Sequence, residues 1–212
     1  MKGIIYKDYI SSLLPKNFIS LLSNIIVALG IVILLDNFYS FALATMMLSL
    51  SGSSLLQITM EQDELSNFDK IQLTFPLTKK QIIFTKYLAG LIMQGACFII
   101  SLLLALVYCW IGRITFVAAM QVWGLGIIIG LIFFSICYTG FYLLGNKRGS
   151  IMYIITMLAL AAGYVLTFFN FDVAVILKIN HNLLLAIGFV IAMIVLVISF
   201  RLSLKIYVKR YS

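Results

Sequence analysis

The residues able to do chemistry are few, and most lie in one stretch. Glu61 to Ile82 reads EQDELSNFDKIQLTFPLTKKQI and holds four of the seven acids and three lysines. Acid–base or metal chemistry needs carboxylates beside other acids, bases or ligands. No two acids outside this stretch are near each other in sequence, and the single histidine, His181, stands alone after Lys178. A lone histidine there reads as a solvated loop residue. Cys97, Cys109 and Cys137 all sit inside apolar runs with no CxxC spacing, so they read as packing residues. Nucleotide hydrolysis would need a phosphate-binding loop. The nearest match, Gly140-Phe141-Tyr142-Leu143-Leu144-Gly145-Asn146-Lys147, has Asn146 where lysine is required and no Ser or Thr in place. The chain therefore carries no recognisable catalytic, nucleotide-hydrolysing or metal site.

The elements around that polar stretch are almost wholly apolar. The 212 residues are 63% hydrophobic and 10% charged, with mean hydropathy +1.13. A soluble domain carries about a quarter charged residues, so the composition is that of an integral membrane protein. The net charge of +8 does not indicate nucleic acid. The basic residues sort by membrane side and do not gather on one soluble face.

A span takes roughly 20 mostly apolar residues, which predicts six helices in an all-α membrane fold. They run Phe18–Leu35, Phe38–Met60, Ile82–Ile111, Ile114–Leu144, Ser150–Phe169 and Leu183–Phe200. A cytoplasmic N terminus puts 13 of the 15 basic residues inside and leaves only Arg113 and Lys178 outside. Both termini are then cytoplasmic. The first apolar run lacks a small-x-small cleavage signal and reads as a retained span, not a signal peptide. None of the spans has an ionisable group near its centre, which argues against an ion-driven carrier.

Two amphipathic pieces accompany the spans. In the N-terminal stretch, Ile5, Tyr9 and Leu13 and then Tyr6, Ile10 and Leu14 form one stripe, with Lys7, Asp8 and Ser11 away from it. This predicts a helix lying in the membrane interface over residues 1–16, ending at Pro15; the plainer reading is the cytoplasmic start of the first span. In the polar stretch, Leu65, Phe68, Ile71 and Phe75 are spaced for one helical face. Ser66 and Asp69 match a capping box, and Asp63 and Glu64 supply negative charge where a helix N terminus favours it. Pro76 ends the helix, and Thr78 with Gln81 offers a second box to start the third span. Such a helix presents its apolar face to a partner groove, lies on the bilayer, or packs back on the bundle.

The phrase Leu73-Thr74-Phe75-Pro76-Leu77, followed by Thr85-Lys86-Tyr87-Leu88 after the acidic start at Asp63, resembles the segment between the second and third spans of ABC-2 type permeases. That family usually has Leu before the proline and Ser-Arg after it, where this chain has Phe75 and Thr78-Lys79. The resemblance extends to length, span number and the interfacial helix. It implies a single permease domain over 1–212, the membrane subunit of an ATP-driven exporter in small bacterial permeases of the peptide and antibiotic type. It also implies that residues 61–81 form a coupling loop docking on a separate P-loop ATPase. Leu65, Phe68, Ile71 and Phe75 would be its face, and Asp63, Glu64 and Asp69 its rim, with Pro76 at its end. ATP and Mg would be bound by that partner, with no cofactor in this chain. A second permease copy, identical or related, would complete the pathway through the lipid bilayer of the cell membrane. The cargo suggested by analogy is amphipathic or hydrophobic, a toxin-like or antimicrobial peptide first. The competing class is a non-transporting membrane scaffold or immunity-type protein.

Two further patterns concern packing. Gly126 and Gly130 form a Gly-x-x-x-Gly face. Ser49, Ser51, Gly52, Ser53 and Ser54 form a small hydroxylated patch in the second span, which reads equally as pathway lining or helix contact. Trp110 and Trp123 suit the outer membrane interface.

Overall fold

In the computed structural model the described residues are 2–13, 15–35, 37–168 and 181–210, and their regular structure is entirely helical. Helix α1 covers Lys2–Leu13 and α2 Pro15–Leu35, with Pro15 at the first position of a helix, where its missing N–H costs nothing. Helices α3 (Phe38–Ser51) and α4 (Ser54–Leu65) follow, then a single turn α5 (Phe68–Ile71) and a 3-10 turn over Gln72–Thr74. The long helices are α6 (Lys79–Trp110), α7 (Phe116–Phe168) and α8 (His181–Arg210).

Helices α6, α8 and the 116–163 part of α7 are each long and apolar enough to cross a membrane. Shorter apolar helices lie at Leu22–Leu34 and Phe38–Ser51. Helix α7 is two arms. Gly145 takes φ 77° and ψ −178°, a conformation essentially confined to glycine that costs a residue with a Cβ about 1–3 kcal/mol. The arms fold back on each other, so that Met152 fills the space beside Gly140 and Phe141 closes on Gly149. The rings of Phe133 and Tyr153 meet edge to face at 5.2 Å. The reversal falls one residue after Leu144, where the apolar run ends in sequence.

The predicted second span is also divided. Leu50 accepts from the Ser53 backbone N–H and from its hydroxyl, and α3 stops at Ser51 before α4 begins. At the other end Asn37 and Ser40 form a reciprocal capping box that starts α3.

The core is held by close approach and by hydrogen bonds between helices, as suits apolar helices in a solvent equally apolar. Gly126 of α7 lies against Ser49 Oγ, at 2.8 Å from where a Cβ would stand. Gly130 meets the Ser49 carbonyl and the Phe98 ring in the same way. The Gln94 amide of α6 donates to that carbonyl. The serine patch and the glycine face are therefore two sides of one contact within the chain. Toward the opposite end, the Tyr87 hydroxyl bonds Ser199 and Ser203 of α8, each at 2.8 Å. Tyr138 stacks on Phe134, and both rings pack on Tyr87. Gly90 leaves the room for the Tyr138 hydroxyl.

Helix α1 packs on α4 and α6. Its buried face is Ile4 and Asp8, one turn apart, with Ile5 and Tyr9 half-buried beside them. This corrects the placing of Asp8 away from the packed stripe. The stripe itself divides: Tyr6 and Ile10 stand exposed. Tyr9 donates to the Ala89 carbonyl at 2.9 Å, which ties α1 to the third apolar run. The side chains of Ser11 and Leu13, and Leu14 as a whole, fall outside the described residues.

Candidate coupling site

The polar stretch is built differently from the single helix that its spacing predicts. Helix α4 carries on through the acids to Leu65, so Asp63 and Glu64 lie in its last turn and not before a new N terminus. Ser66 closes α4: its N–H and its hydroxyl both go to the Gln62 carbonyl, at 3.0 and 2.6 Å. Asn67 then takes φ 52°, which asparagine tolerates better than most residues. The Asn67 carbonyl accepts from the Ile71 N–H, so α5 starts one residue later than a Ser66 cap requires. The Asp69 side chain lies outside the described residues. A 3-10 turn follows α5 and carries Gln72 inward, where its Nε2 donates to the Tyr207 hydroxyl of α8 at 3.3 Å. The second capping box stands as predicted: Thr78 Oγ1 accepts from the Gln81 N–H and Gln81 Oε1 from the Thr78 N–H, opening α6.

The apolar residues still gather, by chain reversal and not by helical period. Phe68 and Phe75 meet edge to face at 5.9 Å. Leu65 and Ile71 are 73% and 48% exposed, and Leu73 and Phe75 are exposed beside them. Glu64 and Pro76 are exposed and Phe68 is half-buried. The structure therefore brings Leu65, Ile71, Phe75 and Glu64 to the surface together.

Asp63 does not stand on a rim. It is 2% exposed and sits between two lysines from other helices. Lys86 of α6 reaches its Oδ2 at 2.5 Å, and Lys7 of α1 pairs with its Oδ1. Asp8 joins them, 3.4 Å from Lys7 and 4.0 Å from Lys86. Two acids and two lysines, all buried except the partly exposed Lys7, thus form one formally neutral cluster at the meeting point of α1, α4 and α6. Burial pushes the Asp8 carboxyl above the usual carboxylate range, against the pull of Lys86 and then Lys7. Lys7 also lies over the Phe68 ring, 4.3 Å from its centre, a cation–π contact. The cluster is thereby joined to the exposed apolar surface.

Sequence spacing missed this cluster. Asp8, Asp63 and Lys86 lie far apart in the chain; in sequence Asp8 reads as a residue off the apolar stripe, Asp63 as the rim of a new helix and Lys86 as a charge near a span end. The available signal was electrostatic: Lys86 interrupts an otherwise apolar run, and two signs balance two. His181 begins α8 and is exposed. The 140–147 stretch that mimics a phosphate loop is the end of one α7 arm and its break. Among the described residues no group of three or more His, Cys, Asp or Glu is placed to hold a metal. The arrangement joins α1, α4 and α6 through paired charges beneath an exposed apolar surface.

A family model described as ABC-2 family transporter protein matches residues 3–208. No curated protein and no solved structure matches the chain.

Proposed function

The chain belongs to the ABC-2 transporter family, and on that premise we propose that it is the membrane subunit of an ATP-driven exporter whose ATPase docks on the α4–α5 surface. The observation that carries the reading is the pairing of an exposed apolar surface with a buried charge cluster directly beneath it. Leu65, Ile71 and Phe75 face outward, while Asp63 in the same segment is fixed to α1 and α6. A partner that moves this surface moves three helices at once. A segment that only covered the bilayer surface would not require Asp63, Lys7, Lys86 and Asp8 to be locked beneath it.

In this reading the chain crosses the membrane six times, with the two α7 arms as separate crossings and both termini cytoplasmic. Two copies, or one copy and a related permease, form the pathway. Each contributes one docking surface to an ATPase pair that binds ATP and Mg. Closure of the ATPases pulls the α4–α5 segment, and the charge cluster passes that displacement to α1 and to the start of α6. Transport acquires direction if cargo binds the two resulting states unequally. The interior offers apolar and hydroxyl groups, which suits an amphipathic or hydrophobic cargo such as a peptide.

Affinity purification from the native membrane in mild detergent, with mass spectrometry of the co-purifying chains, tests the docking surface. The wild-type chain should bring down a P-loop ATPase. Leu65→Asp and Ile71→Asp alter two exposed side chains and should lose that partner while the chain stays folded. A scaffold or immunity-type protein would bring down no ATPase from either sample, which would refute the exporter reading.

A further inference from the structure

A cavity of about 320 Å³ is bordered by Asp63 and Lys86 of the charge cluster and meets the docking surface only at Glu64. One wall comes from α4, the 3-10 turn and α6, which contribute Asp63, Glu64, Gln72 and Lys86, the Lys86 ammonium being held by Asp63. The other comes from the break of α7 and the end of α8, which contribute Tyr142, Gly145, Asn146, Tyr207 and Arg210. Two polar atoms of its lining are buried without a partner. They are the Tyr142 hydroxyl, on a residue 4% exposed, and Gln72 Oε1, on a residue 2% exposed. A buried polar atom left unmet is destabilising unless something else meets it.

The two walls differ in chemistry. On the α7–α8 wall, the non-helical Gly145 interrupts the helical ladder. The arm that begins at Asn146 therefore has its own N terminus, whose first N–H groups lack acceptors in the helix. An Arg210 guanidinium nitrogen lies 3.6 Å from where a Cβ on Gly145 would stand, so a cation sits beside those N–H groups. With the Tyr142 hydroxyl, this wall offers donors to an anion. On the loop wall, Gln72 Oε1 and the Glu64 carboxylate are acceptors. Asp63 is already taken by Lys7 and Lys86.

We propose that this cavity binds a phosphate ester bearing a primary ammonium group, the chemistry of an ethanolamine phospholipid headgroup. The phosphate faces Arg210, the start of the second α7 arm and Tyr142; the ammonium faces Gln72 and Glu64. A phosphate alone leaves the acceptor wall unmet. A quaternary ammonium has no N–H to donate to Gln72. The cavity stands where the ends of apolar helices meet charged residues, the depth at which headgroups lie. The proposal does not depend on the chain being a transporter.

The test uses the full chain, delipidated in mild detergent without any ATPase, and two readouts: native mass spectrometry for adducts and thermal unfolding for their effect. A short-chain ethanolamine phospholipid should give one saturable adduct and raise Tm. The matching choline lipid and inorganic phosphate should bind about tenfold more weakly, the scale of one charge-assisted hydrogen bond. Arg210→Gln should weaken the ethanolamine adduct about tenfold on the same grounds. Tyr142→Phe removes an unmet hydroxyl, so it should leave ligand-free Tm unchanged or higher while weakening the adduct roughly fivefold. That opposition of signs would not arise from general unfolding. Free phosphoethanolamine that competes with the lipid as an equal would assign the site to a soluble ligand of the same chemistry. Equal binding of choline lipid or phosphate would overturn the ammonium half of the proposal. An adduct indifferent to both variants would identify it as lipid on the outer surface and overturn the site.

Discussion

Replacing Lys86 by methionine is the sharpest probe of the buried cluster. Lys86 is 4% exposed and pairs with Asp63 Oδ2 at 2.5 Å. Methionine approximates the apolar stem and removes the ammonium, with its charge and its hydrogen bond to Asp63. The cluster then holds Asp63 and Asp8 against Lys7 alone, one negative charge in excess. Breaking a buried ion pair by removing one partner costs about 3–5 kcal/mol. A second argument bounds the cost from above. A carboxylate can always escape by taking up a proton. From an ordinary aspartate value of 3.8 that uptake costs at pH 7 about 4 kcal/mol, at 1.36 kcal/mol for each pH unit. The deficit in Lys86→Met should therefore fall near 3–4 kcal/mol, with Asp8 as the proton acceptor.

The sign with pH follows from the same reasoning. Asp8 already has its folded-state pKa raised, mainly by burial. Protonating it favours the folded chain. That contribution is fully present below about 3.8, the unfolded value, and is lost as pH rises through the folded value. Removing Lys86 removes the largest opposing pull and carries the window upward toward neutral pH. Unfolding of the purified chain, followed in detergent against pH, should show the deficit of Lys86→Met shrinking as pH falls from 7 to 5. The slope is bounded by about 1.4 kcal/mol for each unit. The double variant Lys86→Met with Asp63→Asn restores neutrality and should recover much of the loss at pH 7. A deficit independent of pH, together with a double variant worse than the single one, would refute the account of the cluster as a balanced set of charges.

The helix contacts give further expectations. Gly90→Ala places a Cβ 1.6 Å from the Tyr138 hydroxyl and should destabilise the chain by about 1–3 kcal/mol, or more if Tyr138 cannot shift, whereas Gly95→Ala meets nothing within 4 Å and should be neutral or stabilising by up to about 1 kcal/mol; thermal unfolding of the two variants side by side checks the pair. Tyr87→Phe deletes the bonds to Ser199 and Ser203 and should cost roughly 0.6–1.7 kcal/mol, the range for hydrogen bonds between helices in membranes. Single cysteines at Lys80 and Arg113, in a chain freed of Cys97, Cys109 and Cys137, should react with an impermeant thiol reagent from opposite sides of the membrane. Labelling of both from one side would refute the proposed topology.

Much of the fold was legible because apolar length and local capping are written in contiguous residues. The Asn37 start of α3, the Thr78–Gln81 box and the reversal at Gly145 all depend on neighbours in the chain. The 61–81 segment was only half legible for the opposite reason. Its apolar residues stand out in the sequence as a set, but a period of three to four does not distinguish one helix from a turn, a left-handed asparagine and a short helix. The choice was made by contacts distant in sequence. Gln72 reaches Tyr207, and Asp63 is drawn beneath the surface by Lys7 and Lys86. Both contacts pull the segment against the bundle in a way no local pattern demands.

That division bears on how the segment works. A helix held only by its own hydrogen bonds would tilt on the bundle without moving it, because its ties to other helices would be apolar and able to slide. Charges buried in a low-dielectric setting cannot slide apart without leaving one another unpaired, at a cost of several kcal/mol. In the proposed reading, Asp63 ties the α4–α5 surface to the start of α6, and Lys7 extends that tie to α1. The Phe68 ring under Lys7 places an aromatic residue of the apolar surface in the same network. If a partner docks at Leu65 and Ile71, the displacement it imposes reaches the long helices through these four charges. Lys86→Met, in a background where it still folds at lower pH, should then uncouple a docked partner from transport without preventing it from docking.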